Sequence, residues 1–269
     1  MKFGEVVGRA TYGATGFLAE AGDLGRLEAV ILHNLPVLAQ FREVLVATTY
    51  ADRDREALSA ANERLWRSYL PDVVLIDSIA NRGHSIGTAD LDNILFDACK
   101  ASDTQWLCKS AIDVLLDELV LAIDVEEAQF YFLNAVSYDA LAQHDLDLTP
   151  FTEGFFFPQT TFYAIDVTAT DYLVDKAFLD RSWETVQRIP SYNGRIWEYL
   201  PGWSCENLLR LCVLRNELTT AHLITDEQWR EVLRVIIDQR MTDCSFKGLS
   251  INGICHTHGG PALIQTVVP

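Results

Sequence analysis

No run of about 18 apolar residues occurs anywhere in the 269-residue chain, so no membrane-spanning helix is expected. The first residues, MKFGEVVGRATYG, lack the apolar centre of a signal peptide, and a cytoplasmic protein is expected. The six cysteines, at 99, 108, 205, 212, 244 and 255, include no CxxC pair, which points to reduced thiols. Positive charge is scarce: 21 Lys and Arg stand against 38 Asp and Glu, a net charge of −17. Such a surface repels phosphate backbones and anionic lipid, which excludes nucleic acid and membrane surfaces as partners. An anionic nucleotide substrate would have to be met locally by a metal, Lys or Arg. Internal repeats, low-complexity segments and a Gly-, Pro- or Ser-rich hinge are also missing, so residues 1–269 are taken as one domain. Oligomeric state is left open. A hydrophobic content of 49% is enough for a substantial core.

The most informative stretch is 72–116, DVVLIDSIANRGHSIGTADLDNILFDACKASDTQWLCKSAIDVLL. Positions 73–76 form a β-branched run suited to a strand buried on both faces. Asn81, Arg82, Gly83 and Gly87 follow, collecting backbone amides and one guanidinium where that strand ends. Positions 90–100 have helical spacing, with Leu91, Ile94, Leu95 and Ala98 on one side. The next apolar run, 105–108, stops at Lys109, Ser110 and Asp113. In open α/β sheets ligands bind beyond the carboxyl ends of the strands. Two successive ends here are polar, and the second carries an acid suited to a divalent metal.

Before this stretch the chain alternates strand and helix. Strands are expected at 3–11 and 43–49, and helices at 24–41 and 53–69, with Pro36 kinking or interrupting the first helix. This alternation implies an α/β fold with a mostly parallel central sheet flanked by helices. The first two strand ends carry Thr11, Tyr12, Tyr50 and Asp52, residues that also start loops and cap helices. After Asp113 the alternation breaks down. A short helix is expected at 115–123, a strand at 129–133, loop at 139–150, and an aromatic β segment at 154–167. Pro201 and Gly202 make a turn and Ser204 suits an N-cap, which places Glu206 in a first helical turn, where an acid favours the helix dipole. Trp197 and Trp203 flank that turn. Near the C-terminus, CHTHGG brings Cys255, His256 and His258 together; alternate residues of an extended segment point the same way. With Cys244 or Cys255 the histidines could form a zinc site, and the segment could also be a polar surface loop.

The order of these pieces resembles the GT-A superfamily of nucleotide-sugar glycosyltransferases. The resemblance is carried by NRGHSIG at 81–87 and AID at 111–113, and it covers residues 3–52, 73–116, 195–216 and 252–260. In that superfamily a glycine loop precedes a helix, and the next strand ends in an Asp-x-Asp metal motif. Here Ala111 takes the place of the first acid, and Asp113 that of the second.

The resemblance implies a GT-A-like fold with a nucleotide-sugar-binding lobe (1–116) and an acceptor and catalytic lobe (117–269). It implies a hexosyltransferase-like activity in glycan biosynthesis. A sugar would move, with inversion, from a nucleoside diphosphate sugar to a carbohydrate or other hydroxyl acceptor. Thr11, Tyr12, Tyr50, Asp52, Asn81, Arg82, Gly83, Lys109 and Ser110 would bind the nucleotide sugar. Asp113, with His256 or His258 returning from the C-terminal segment, would hold Mn²⁺ or Mg²⁺. Glu206 would be the general base, and Trp197 and Trp203 would face the acceptor sugar. His84 in the glycine loop is a lesser candidate for phosphate contact, and His33, His144 and His222 look structural or solvated. Two other classes compete: a zinc-dependent hydrolase built on the C-terminal Cys and His residues, and a non-catalytic GT-A-like binding protein, for which Ala111 argues.

Overall fold

The computed structural model describes residues 1–77, 81–152, 154–192, 196, 199–200, 203–243, 246–257 and 265–268. The chain opens with a helix, α1 (Phe3–Val7), where a strand was expected. Glu5 turns back to accept a hydrogen bond from the Lys2 amide at 2.7 Å, which closes the first turn. Phe3, Val6 and Val7, an aromatic and two β-branched residues at helical spacing, are buried. The first strand, β1 (Ala10–Leu18), therefore begins where the expected one ended.

Helix α2 (Ala21–Leu38) runs through Pro36, which falls in its last turn and leaves the helix uninterrupted there. Next come β2 (Glu43–Tyr50), α3 (Arg55–Tyr69) and β3 (Val74–Asp77). Helix α4 (His84–Ala101) starts from Gly83, whose φ of +80° suits glycine. Strand β4 (Trp106–Ala111) outruns its expected end at 108. Leu115 belongs to a second strand, β5 (Val114–Leu116), so the expected helix shrinks to α5 (Leu119–Ala122). Strand β6 (Phe130–Asn134) and α6 (Tyr138–Ala142) precede β7 (Pro158–Asp166). The chain ends with α7 (Lys176–Gln187), α8 (Cys205–Arg215), β8 (Thr220–His222), α9 (Asp226–Gln239), β9 (Leu249–Ile251), β10 (Ile254–His256) and β11 (Gln265–Val268).

The fold is α/β. Seven strands form the central sheet in the order β3-β2-β1-β4-β7-β6-β8. The pairings are parallel except at β7, which runs antiparallel to β4 and β6. One face packs Leu27 and Ile31 of α2, Leu58 and Trp66 of α3, and Trp229 and Leu233 of α9. The other packs Leu95 and Phe96 of α4, Leu179 of α7 and Leu209 of α8. A smaller sheet, β11-β9-β10-β5, leaves the central one at the turn after β4. Asn34 of α2 is buried against it: its Nδ2 donates to Val114 O at 2.9 Å and its Oδ1 accepts from Leu116 N at 2.8 Å. Among the described residues no helix is long and apolar enough to cross a membrane.

Candidate functional site

Because β1 to β4 are parallel, their carboxyl ends lie on one side of the sheet. Strand β7 is antiparallel, so its amino end, Pro158–Thr160, arrives on the same side. At the end of β4 the chain turns at Ile112 and Asp113 into β5. The Ile112 amide donates to Thr15 O at 2.9 Å, which ties the turn to β1. Thr257 binds the Asp113 carbonyl twice, through its amide (2.9 Å) and its hydroxyl (2.8 Å). Antiparallel pairing of β10 with β5 sets His256 opposite Val114. His256 Nε2 then lies 3.2 Å from Asp113 Oδ2, with the imidazole mostly buried and the carboxylate about a third exposed. Asp113 and His256 are thereby brought together. A carboxylate oxygen and an imidazole nitrogen suit Mn²⁺ better than Mg²⁺, which prefers an all-oxygen shell.

His258 and Trp197 lie outside the described residues, as does Cys244. Cys255 is buried beside His256 in β10, where neighbouring side chains point to opposite faces. Among the described residues no group of three or more His, Cys, Asp or Glu gathers into a metal site. The zinc-hydrolase reading therefore has no assembled centre there.

Glu206 enters from α8. Ser204 caps that helix, its hydroxyl accepting from Asn207 N at 3.1 Å. The Cys205 thiol donates to Ser85 O at 3.0 Å, which sets the first turn of α8 against the first turn of α4. Glu206, half-buried, accepts at Oε1 a hydrogen bond from Thr160 Oγ1 at 2.8 Å. Thr160 stands at the amino end of β7, so Glu206 lies on the same side of the sheet as the Asp113 turn.

Several expected binding residues are placed elsewhere. Thr11 and Tyr12 are at the start of β1, buried, on the opposite side of the sheet from the carboxyl ends. Thr11 Oγ1 shares a 2.7 Å hydrogen bond with Thr104 Oγ1, and burial pushes the Tyr12 hydroxyl up to about 12. Tyr50 does end β2, but its hydroxyl is buried and accepts from Thr48 Oγ1 at 2.7 Å and Asn62 Nδ2 at 3.0 Å. Ser110 is fully buried and donates to the Ala111 carbonyl. Arg82 Nη1 donates to Asp180 Oδ1 at 2.8 Å, and its Nε is 3.5 Å from Asp90 Oδ2, so two carboxylates already meet its charge. Trp203 is core: it donates to Ser182 Oγ at 3.2 Å and stacks on Phe178. Asp52 is exposed just past β2, where it opens a 3₁₀ turn. Asn81 Oδ1 accepts from Gly83 N at 3.0 Å and shapes the entry to α4. His84, the first residue of α4, is exposed.

Lys109 is the largest departure. Its ammonium, 1% exposed, is 3.2 Å from Asp92 Oδ1 and also donates to the Thr160 carbonyl. Among the described residues Asp92 Oδ1 finds no hydrogen-bond donor in good geometry, so that contact is one of charge and not of aligned donor and acceptor. Tyr163 donates to Asp92 Oδ2 at 3.2 Å, and its ring lies 5.8 Å from the ammonium. Burial pushes the Asp92 carboxyl up, and the Lys109 charge opposes that rise. Asp92 and Thr160 are absent from the sequence-derived site. Asp92 did leave a signal: an acid three and four residues from Ala89, Leu95 and Phe96, on the apolar face of α4.

No family model matches this chain, and no curated protein matches it. Among solved structures it is similar to the mannosyltransferase PcManGT from Pyrobaculum calidifontis, in complex with GDP-Man and Mn²⁺. That likeness has a TM-score of 0.38 and 16% identity, over 60% of this chain and 45% of that one. The chain thus spans less than half the length of that protein, and a likeness at this level carries no argument about activity.

Proposed function

We propose that this chain is a GT-A-like glycosyltransferase that moves a sugar, with inversion, from a nucleoside diphosphate sugar to a hydroxyl acceptor. The observation that carries the reading is the meeting of Asp113 and His256 at the carboxyl end of β4. Ligand sites of open α/β sheets lie there. In this reading Asp113 and His256 would hold a divalent metal, Mn²⁺ before Mg²⁺. A metal so held would supply charge neutralisation to the departing diphosphate. Asp52, Asn81, Gly83 and the start of α4 then line the donor side, within residues 1–116, and residues 117–269 supply the acceptor side. The cytoplasm is its proposed place of action.

Glu206 is the general base. The acceptor hydroxyl attacks the anomeric carbon as the bond from that carbon to the diphosphate oxygen breaks. Its proton passes to the Glu206 carboxylate. The transition state has oxocarbenium character, and attack from the face opposite the leaving group inverts the configuration. The Thr160 hydroxyl fixes Oε1, so Oε2 is the atom that takes the proton.

The test is a thermal-shift panel of UDP, GDP, dTDP and CDP, each with and without Mn²⁺. A nucleotide at about 100 times its dissociation constant adds roughly 2.7 kcal/mol of stability. One nucleotide is expected to raise the melting temperature in Mn²⁺ only. Four flat responses would refute the reading.

A further inference from the structure

Lys109 and Asp92 are buried charges inside the sheet–helix layer, yet an apolar pair of similar volume would pack there as well or better. What the pair touches suggests why charges are present. The regular ladder between β4 and β7 ends at Ser110 and Phe162. On its other side, pairing of β7 with β6 jumps from Tyr163 to Pro158. Thr160 falls in the gap left by both ladders. The Lys109 ammonium takes up the Thr160 carbonyl, and Asp92 with the Tyr163 ring hold that ammonium in place. From the other end of the same residue, the Thr160 hydroxyl donates to Glu206 Oε1 at 2.8 Å.

We propose that Asp92 and Lys109 are positioning residues: they fix Thr160 where strand pairing fails, and through its hydroxyl they aim the Glu206 carboxylate. This rests on Glu206 being the base of the reaction above. The chain of contacts runs Asp92, Lys109, Thr160, Glu206, and each link joins a different element: α4, β4, β7 and α8. Neither Asp92 nor Lys109 touches substrate. Thr160 is the joint at which a core ion pair sets the direction of a half-buried acid.

Two substitutions separate positioning from packing. Asp92→Leu with Lys109→Met replaces the ion pair by apolar groups of similar size, and Thr160→Val removes only the hydroxyl. Crystal structures are expected to show Glu206 released from residue 160 in both proteins. Release of UDP from UDP-glucose or of GDP from GDP-mannose, in Mn²⁺ with a sugar acceptor, is expected to lose at least tenfold in kcat in both. Nucleoside diphosphate affinity should hold, and Thr160→Ser should restore most of the rate. The three changes together should lose no more than Thr160→Val alone, because they break one chain of contacts. If the apolar pair does not fold, Asp92→Asn serves with the same crystallographic readout. A Glu206 carboxylate still bonded to Thr160 Oγ1 after the core pair is removed would overturn the proposal, as would fully additive losses. If no nucleotide sugar turns over in the unmodified protein, the assignment of Glu206 as base fails. The crystallographic comparison still decides whether the core pair positions it.

Discussion

His256 Nε2 stands 3.2 Å from Asp113 Oδ2 although 143 residues separate the two in sequence. The contact exists because β10 pairs with β5, the strand that begins directly after Asp113. A donor pair fixed by backbone pairing is held without help from a bound ion. Asp113→Asn keeps the shape and removes the charge, and it should abolish the Mn²⁺-dependent part of nucleotide binding. Calorimetric titration of UDP and GDP, with and without Mn²⁺, reads this directly. Identical titrations for the variant and the parent protein would remove Asp113 from the proposed metal site.

Glu206→Gln keeps the volume and the Thr160 contact but removes the basic oxygen. Loss of a general base costs a factor of about 10² to 10⁴ in rate. Nucleotide affinity should stay within a factor of about two, because the base does not touch the diphosphate in the proposed arrangement. A product that keeps the donor's anomeric configuration would contradict the single-base mechanism whatever the rate.

Gly16 in β1 has no room for a side chain. A Cβ there would come within 2.2 Å of Ile112 Cγ1 and Cδ1, in the residue just before Asp113. Gly16→Ala is expected to destabilise the fold by about 1–3 kcal/mol, the usual cost of overpacking. Ile112→Ala in the same chain should recover part of that loss, so the pair is coupled and not additive. Urea denaturation of the two single variants and the double variant measures the coupling.

His222 is half-buried in β8, where its Nε2 accepts from the Asn134 amide at 3.1 Å. Burial lowers its pKa from 6.5 to about 4. The unfolded chain therefore takes up a proton between pH 6.5 and 4 that the folded chain refuses, and stability must fall as pH drops through that window. The loss from this group alone is about 3 kcal/mol at pH 4, from roughly 1.4 kcal/mol per pH unit. Above pH 6.5 it contributes nothing to the pH dependence. His222→Gln removes this titration, so its urea midpoint should decline less between pH 6.5 and 4. Parallel curves for the two proteins would show that His222 does not resist protonation.

Elements with strong periodicity were legible in the sequence. The helix expected at 53–69 is α3, and the strands expected at 43–49 and 73–76 are β2 and β3 within a residue at each end. Strand β1 was not legible: its two glycines and lack of a β-branched run conceal a strand whose neighbours come unusually close, Leu95 and Leu107 at Gly13 and Ile112 at Gly16. The misplaced start of β1 carried Thr11 and Tyr12 with it. Strand β4 looked three residues too short because Lys109 and Ser110 are polar, and polarity normally marks a strand end. A lysine on a buried face makes sense only once Asp92, seventeen residues earlier on α4, is known to meet it. Pairings of that kind depend on how a helix sits over a strand, which no local pattern records. The Asp113 turn was readable because an acid after an apolar run is a local signal, whereas its contact with His256 depends on a sheet that no spacing announces.

Asn34 presents its carboxamide to β5 as a neighbouring peptide would, donating to Val114 O and accepting from Leu116 N. Since β5 is, among the described residues, the last strand of its sheet on that side, this amide completes a margin that would otherwise offer an unpaired carbonyl and amide to another molecule. The small sheet cannot recruit a further strand beside the Asp113 turn, so self-association by strand addition is barred there. With Asn34→Leu the template would be uncovered one residue from Asp113, and a stray strand docking on it would reach the Asp113 turn itself.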